Sequence, residues 1–216
     1  MNHPPVFCRE AIEKYRVLAA NYDESARFTM PLRERAIALL RLQIGDVVLD
    51  VGAGTGLSFA GLHRAVGHSG RVLAFEQSAE MLIQAQRRCE RERWHNIWQV
   101  QASAETVQLP EAPDAVLFNY TQDVVRCPQA VENVLRQCKP GARVVVAGMK
   151  FFPWWTGPLN LWAWAKNRPY CARSADMWAP WDIVQTHCSN FQVASTQCGM
   201  GYIASGTLRG LPERQA

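Results

Sequence analysis

Apolar residues change their spacing repeatedly along this chain, and each change marks an element. Ile12, Tyr15, Ala19 and Tyr22 recur at helical spacing, which predicts an amphipathic helix over residues 8–22. Pro31, a favoured first-turn residue, opens a second predicted helix that runs to Leu42. Val47–Val51 then reads as a strand buried on both faces of a parallel sheet. Arg71–Glu76, Ile97–Ala102, Ala115–Asn119 and Val144–Gly148 are further strands by the same reading. Helices separate them. Ser78 is placed to cap one whose apolar face is Met81, Leu82, Ala85 and Cys89. Pro128 opens another, with Val131, Val134, Leu135 and Cys138 on one stripe, and Lys139-Pro140-Gly141 ends it. Past residue 150 the alternation breaks into a Trp- and Pro-rich stretch. Gln192–Gln197 and Tyr202–Leu208 follow, separated only by Cys198–Gly201, and predict an antiparallel hairpin. The sum is an α/β fold: a seven-stranded, doubly wound, mostly parallel sheet with right-handed crossovers, closed at one edge by an antiparallel C-terminal hairpin.

Composition narrows the class. At 216 residues, 48% hydrophobic and 19% charged, the chain has the balance of one globular domain with a substantial core. Its net charge of +4 comes from scattered arginines rather than a basic stripe, so nucleic acid is not the expected partner. The densest run, Arg87–Arg93, alternates in sign and reads as a solvated helix face. Cysteines at 8, 89, 127, 138, 171, 188 and 198 form no C-x-x-C pair and have no histidine pair beside them. No metal site is therefore expected, and the scattered thiols fit a reducing, cytoplasmic compartment. The N-terminus lacks the apolar core of a secretory signal. Phe151–Ala165 is interrupted by Pro153, Gly157, Pro158 and Asn160, and falls short of the roughly 20 residues of a membrane span.

The first strand runs into Asp50-Val51-Gly52-Ala53-Gly54-Thr55-Gly56, and a helix is expected from Leu57. Glycines permit a tight turn and let a ligand approach bare backbone. In open α/β sheets that position, beyond the carboxyl ends of the strands, is where ligands bind. Glu76 ends the second strand, where a carboxylate can accept hydrogen bonds from both hydroxyls of a ribose. Dinucleotide enzymes share this geometry, but their G-x-G-x-x-G fingerprint needs a third glycine where Leu57 stands. The spacing here is G-x-G-x-G, with an acid two places before it.

LDVGAGTG (Leu49–Gly56) resembles the first motif of class I S-adenosylmethionine-dependent methyltransferases. AFEQS (Ala74–Ser78), QASAE (Gln101–Glu105), PDAVLFNY (Pro113–Tyr120) and CKPGARVVVAG (Cys138–Gly148) resemble the second to fifth, in order. The resemblance implies a Rossmann-like sheet and S-adenosylmethionine as cofactor. It implies that Gly52, Ala53, Gly54 and Gly56 line the cofactor's amino-acid and ribose portion, with Asp50 beneath. Glu76 would hold the ribose hydroxyls, Gln77 and Met81 would flank the adenine, Ala104 and Glu105 would border its edge, and Asn119 would close the methionine side. The single domain then divides into an N-terminal helical lid (1–44), a cofactor-binding core (45–150), a Trp-rich substrate cap (151–190) and the closing hairpin (191–208).

The substrate side is less defined. Asp123, placed to cap a helix, and Tyr22 are the catalytic candidates, and His187 could serve as a base. Six of the eight tryptophans lie between Trp154 and Trp181, which suits an aromatic or hydrophobic cavity, a cation site, peripheral membrane contact, or a plain hydrophobic cover for the sheet edge. FFPWWTGPLNL (Phe151–Leu161) resembles bacterial members of the quinone- and phospholipid-methylating branch. The expected function is in-line methyl transfer to a small, hydrophobic or aromatic molecule. The alternatives are an RNA methyltransferase, though Asn119-Tyr120-Thr121-Gln122 replaces the N-P-P-Y tetrapeptide, and a non-catalytic cofactor-binding scaffold.

Overall fold

The computed structural model describes residues 22–152, 156–161 and 177–210. The helix expected over 8–22, Trp154, Trp155, Trp162 and Trp164, and the side chain of Tyr22 lie outside the described residues. Short α1 (Tyr22–Ala26) leads through a 3-10 turn into α2 (Met30–Leu39). There follow β1 (Val47–Val51), α3 (Phe59–Val66), β2 (Arg71–Glu76), α4 (Ala79–Glu92), β3 (Ile97–Gln101) and β4 (Ala115–Asn119). Next come α5 (Gln122–Val125), α6 (Pro128–Arg136), β5 (Arg143–Met149), α7 (Asp182–Thr186), β6 (Cys188–Thr196) and β7 (Gly201–Leu208).

One sheet holds all seven strands in the order β3-β2-β1-β4-β5-β7-β6. Strands β1 to β5 pair in parallel. The hairpin does close one edge, but by insertion. Its second strand, β7, lies antiparallel between β5 and β6. Two reversals return β6 to the direction of β1–β5, so β7 alone runs against the sheet.

Side chains alternate across this sheet with the two-residue period of a strand, and each face meets helices. Leu49, Leu73, Val116, Phe118, Val144 and Val146 pack on one side with Val131, Val134 and Leu135 of α6. Val48, Val72, Ala74, Leu117 and Val145 pack on the other with Leu32, Ala36 and Ile37 of α2, Phe59 and Leu62 of α3, and Ala85 and Cys89 of α4. Burial on both faces explains why these strands are apolar almost throughout.

Three of the boundaries that differ from the sequence reading have a local cause. Helix α2 stops at Leu39 because Arg41 turns left-handed (φ 47°) and Asp46 Oδ2 accepts the Gln43 N–H at 2.7 Å, closing the loop before Leu42. Helix α3 begins at Phe59 rather than Leu57, since residues 54–58 are spent turning. Strand β6 starts at Cys188, four residues early, because an irregularity between Ser189 and Gln192 breaks the alternation that would reveal it. Among the described residues, no helix is long and apolar enough to cross a membrane.

Candidate active site

A partly open cleft lies beyond the carboxyl ends of β1, β2 and β4. Glu76 ends β2 at one side of it. Its Oε2 accepts the Gly54 N–H at 2.9 Å and its Oε1 accepts the Ser78 N–H at 2.8 Å. Burial pushes this carboxyl above its usual pKa, and the backbone donors pull against that shift. Ser78 in turn caps α4, its Oγ accepting the Met81 N–H at 3.3 Å. Gln77, Met81 and Ala104 line this end, together with Phe75 and Ala102, and make it a largely apolar slot.

The glycines divide by role. Gly52 and Gly54, with Ala53 between them, line the cleft. A Cβ built on Gly54 (φ 59°) meets nothing within 4 Å, so its bare face opens on the cavity. Gly56 (φ 77°) is outside the lining, and a Cβ there would fall 2.6 Å from the Phe59 ring. That glycine is required by packing beneath the loop. Glu105 is also outside the lining: the turn at Ser103–Val107 carries it away from Ala104, toward the Cys127 thiol.

At the other end three polar atoms are unsatisfied. Asp50 sits under the cleft floor at 2% exposure, and its Oδ2 has no hydrogen-bond partner. Burial pushes its pKa up to about 7, opposed by the charge of Arg33 and assisted by that of Glu76. Asn119, buried at the end of β4, donates from Nδ2 to Ser58 Oγ at 3.4 Å, but its Oδ1 accepts nothing. Thr121 Oγ1 is likewise buried and unpaired. Tyr120, with a left-handed backbone (φ 62°), and Asp123 complete the wall. Asp123 is in the first turn of α5; the cap position belongs to Thr121, so the capping role expected of Asp123 is not what the structure shows.

Sequence reasoning missed Arg33. Its side chain is 5% exposed, its guanidinium carbon lies 4.9 Å from the centre of the Tyr120 ring, and it lines the cleft. A signal was available. Leu32, Arg33, Ala36 and Ile37 form the buried stripe of α2, and an arginine inside an apolar stripe needs a reason to be there.

Two other expectations change. His187 caps α7 just before β6, at the opposite end of the sheet from the cleft, and burial pushes its pKa down; it is no base for this site. Arg88 is more than a solvated charge. Its Nε donates to the Thr55 carbonyl at 3.0 Å and its guanidinium pairs with Asp23, which also accepts from Thr55 Oγ1 at 2.5 Å. This three-way contact pins α1 to the glycine loop.

A family profile described as a methyltransferase domain matches residues 48–141, the stretch from β1 to the end of the loop after α6. Over that stretch the chain is similar to methyltransferase domains. It is 31% identical over 146 residues to a ubiquinone/menaquinone biosynthesis C-methyltransferase of Azotobacter vinelandii, covering 64% of this chain and 58% of that one. It is 31% identical over 108 residues to a protein-L-isoaspartate O-methyltransferase of Methanothrix thermoacetophila, covering 50% of each. The chain thus spans half to three-fifths of the length of these curated relatives. A solved S-adenosylmethionine-dependent methyltransferase from Aquifex aeolicus superposes with a TM-score of 0.65 at 18% identity, over 89% of this chain and 98% of that one, and shows the shared fold.

The cleft fits the chemistry of S-adenosylmethionine. An apolar slot beside a carboxylate suits a nucleoside, and acceptors without donors at Asp50, Asn119 and Thr121 suit an ammonium group. Leu57 lines the cleft where a dinucleotide fold would need glycine.

Proposed function

We propose that this chain transfers a methyl group from S-adenosylmethionine to a small, hydrophobic or aromatic acceptor. The observation that carries the reading is the Glu76 carboxylate, held by the Gly54 and Ser78 amides at the mouth of an apolar slot. When bound, the cofactor supplies an electrophilic methyl group on a sulfonium. The residues assigned to hold it are Gly52, Ala53 and Gly54 along its length, Glu76 at the ribose, and Gln77, Met81 and Ala104 about the adenine. Asp50 and Asn119 face the amino-acid end.

The acceptor belongs beside Tyr120, Thr121 and Asp123. Asp123 is the carboxylate positioned to receive a proton when the acceptor carries one, and positioning itself can contribute about 7–11 kcal/mol of barrier reduction. The Asp23–Thr55–Arg88 contact supports a lid role for residues 1–44. Residues 151–190 are assigned the cap role; within them the half-buried Trp181 packs against the core, its ring centroid 4.7 Å from that of Tyr202. Relatives named for carbon and for oxygen methylation leave the acceptor atom to experiment. The described cysteines are free, which supports a reducing, cytoplasmic setting.

Calorimetry with S-adenosylhomocysteine, followed by mass spectrometry of methylated products across a panel of quinols, phenols and amines, tests this. Binding and turnover of a panel member are expected. Failure to bind the cofactor product overturns the reading.

A further inference from the structure

Strands β4 and β5 end side by side. Strand β4 runs into Tyr120, which lines the cleft and whose N–H donates to the Ala147 carbonyl of β5 at 2.8 Å. Strand β5 continues to Met149, and Lys150 follows it, about 10 Å from that junction at the spacing of a strand. The half-buried Lys150 is fixed by its backbone, its N–H donating to the Met200 carbonyl at 2.7 Å. Met149, Met177 and Met200 are buried in one cluster, with Tyr120, Phe151 and Phe152 packed against it. An apolar surface thus joins the cleft wall to the segment that bears Lys150. Among the described residues no carboxylate lies within 4.0 Å of this ammonium group, whose hydrogen bond is to the adjacent Phe151 carbonyl at 3.5 Å. Burial lowers its pKa, with no acidic neighbour to raise it again.

The turn between β6 and β7 adds an independent observation. Gln197, Cys198 and Gly199 are left-handed in succession (φ 49°, 55° and 102°), and two of the three bear side chains, a strain that folds keep chiefly at working sites. Thr196 Oγ1 and Gln197 Oε1 are buried and accept nothing. Both converge on Gly201, where a Cβ would fall 2.5 and 2.8 Å from them. Gly201 pairs with Met149 on one side and Thr196 on the other, so these oxygens stand beside the same end of β5. Buried oxygens of this kind call for a donor.

A cation without an acid, acceptors without a donor and an apolar surface of methionine and phenylalanine have a common complement. An aromatic ring suits both thioethers and phenyl faces. One ammonium matches the single charge of a carboxylate and leaves the second charge of a phosphate uncompensated. A hydroxyl supplies the donor. A neutral hydrocarbon would satisfy none of these polar groups, and Lys150 would repel an amine cation.

We propose that Lys150 binds the carboxylate of a hydroxylated aromatic acid whose ring lies along Tyr120, Phe151 and Phe152, so that the methyl acceptor is an anion of this class. The inference rests on the methyltransferase reading above and narrows its acceptor.

The test uses the full chain saturated with S-adenosylhomocysteine and reads affinity by calorimetry. The probes are 4-hydroxycinnamate, its neutral methyl ester, and cinnamate, which lacks the hydroxyl. Wild type is expected to bind 4-hydroxycinnamate about tenfold more tightly than the ester, and more tightly than cinnamate. Lys150→Gln is expected to erase the preference for acid over ester while leaving the ester's affinity unchanged, and Lys150→Arg to retain it. Wild type that binds acid and ester alike overturns the proposal, and so does a preference that survives Lys150→Gln; either makes Lys150 an ordinary solvated lysine. Loaded protein that binds none of the three probes overturns it as well. The wild-type comparison decides even where a variant does not fold. Protein that does not take up S-adenosylhomocysteine refutes the methyltransferase reading instead, a result distinct from any failure at Lys150.

Discussion

The two ends of the cleft are built on opposite principles. At the Glu76 end, every polar group that matters is tied: both carboxylate oxygens accept backbone N–H groups, and Ser78 caps α4 alongside. At the Asp50 end, acceptors on β1 and β4 and the loop after it are buried without partners, and a cation from α2 stands off from them. One end has its hydrogen bonds made before any ligand arrives. The other holds desolvated charge that a ligand must satisfy, so it stores cost in the empty protein and returns it on binding.

That contrast can be broken most forcefully by pH. Asp50 has its pKa raised from 3.8 to about 7, so over that interval the folded chain holds a proton that the unfolded chain has released. Stability should therefore fall as pH rises through the window, with a slope of up to about 1.4 kcal/mol per pH unit, and level off above it. Glu76, also raised by burial, adds to the same slope. Denaturant melts between these limits measure it, and Asp50→Asn should flatten most of it. Cofactor binding should show the mirror image, strengthening toward pH 7 as an ammonium group favours the ionised carboxylate. A slope untouched by Asp50→Asn would mean that the two ends do not differ in stored charge.

Glu76→Ala should come next in size. It strands the Gly54 and Ser78 amides and removes the ribose acceptor, so S-adenosylhomocysteine affinity by calorimetry should drop about a hundredfold. A loss no larger than that of a surface variant would remove the case for a pre-built end.

The smallest effects should come from the two glycines, and they sharpen where the cleft stops. Gly56→Ala drives a Cβ into the Phe59 ring and should cost about 2–3 kcal/mol of stability in chemical denaturation. Gly54→Ala meets no neighbour, so it should cost about 1 kcal/mol of backbone strain while weakening cofactor binding more than its neighbour does. The reverse pattern would move the cleft wall by two residues.

Legibility in the sequence followed this division. Each of the seven strands, the Ser78 cap and the buried faces of α4 and α6 could be read because period, capping and glycine spacing are local signals. The Glu76 end is local in the same sense: its partners lie within a loop, a strand end and the next helix turn. The Asp50 end is assembled across α2, β1, β4 and α5, and no short pattern announces that Arg33 will reach it. Glu105 misled for the converse reason. It adjoins Ala104 in sequence, and one tight turn sends it elsewhere.

The placement of β7 bears on how the chain is made. Strand β5 borders β4 on one side and waits for β7 on the other. During synthesis, residues 143–149 leave the ribosome well before 201–208, and β6, which emerges between them, does not pair with β5. A nascent chain therefore carries a bare, apolar strand edge for the time it takes to add some fifty residues, at roughly 5–20 residues each second. Such an edge invites pairing with other chains. Strand β7 shuts it, so this part of the sheet is completed only after β6 has been made.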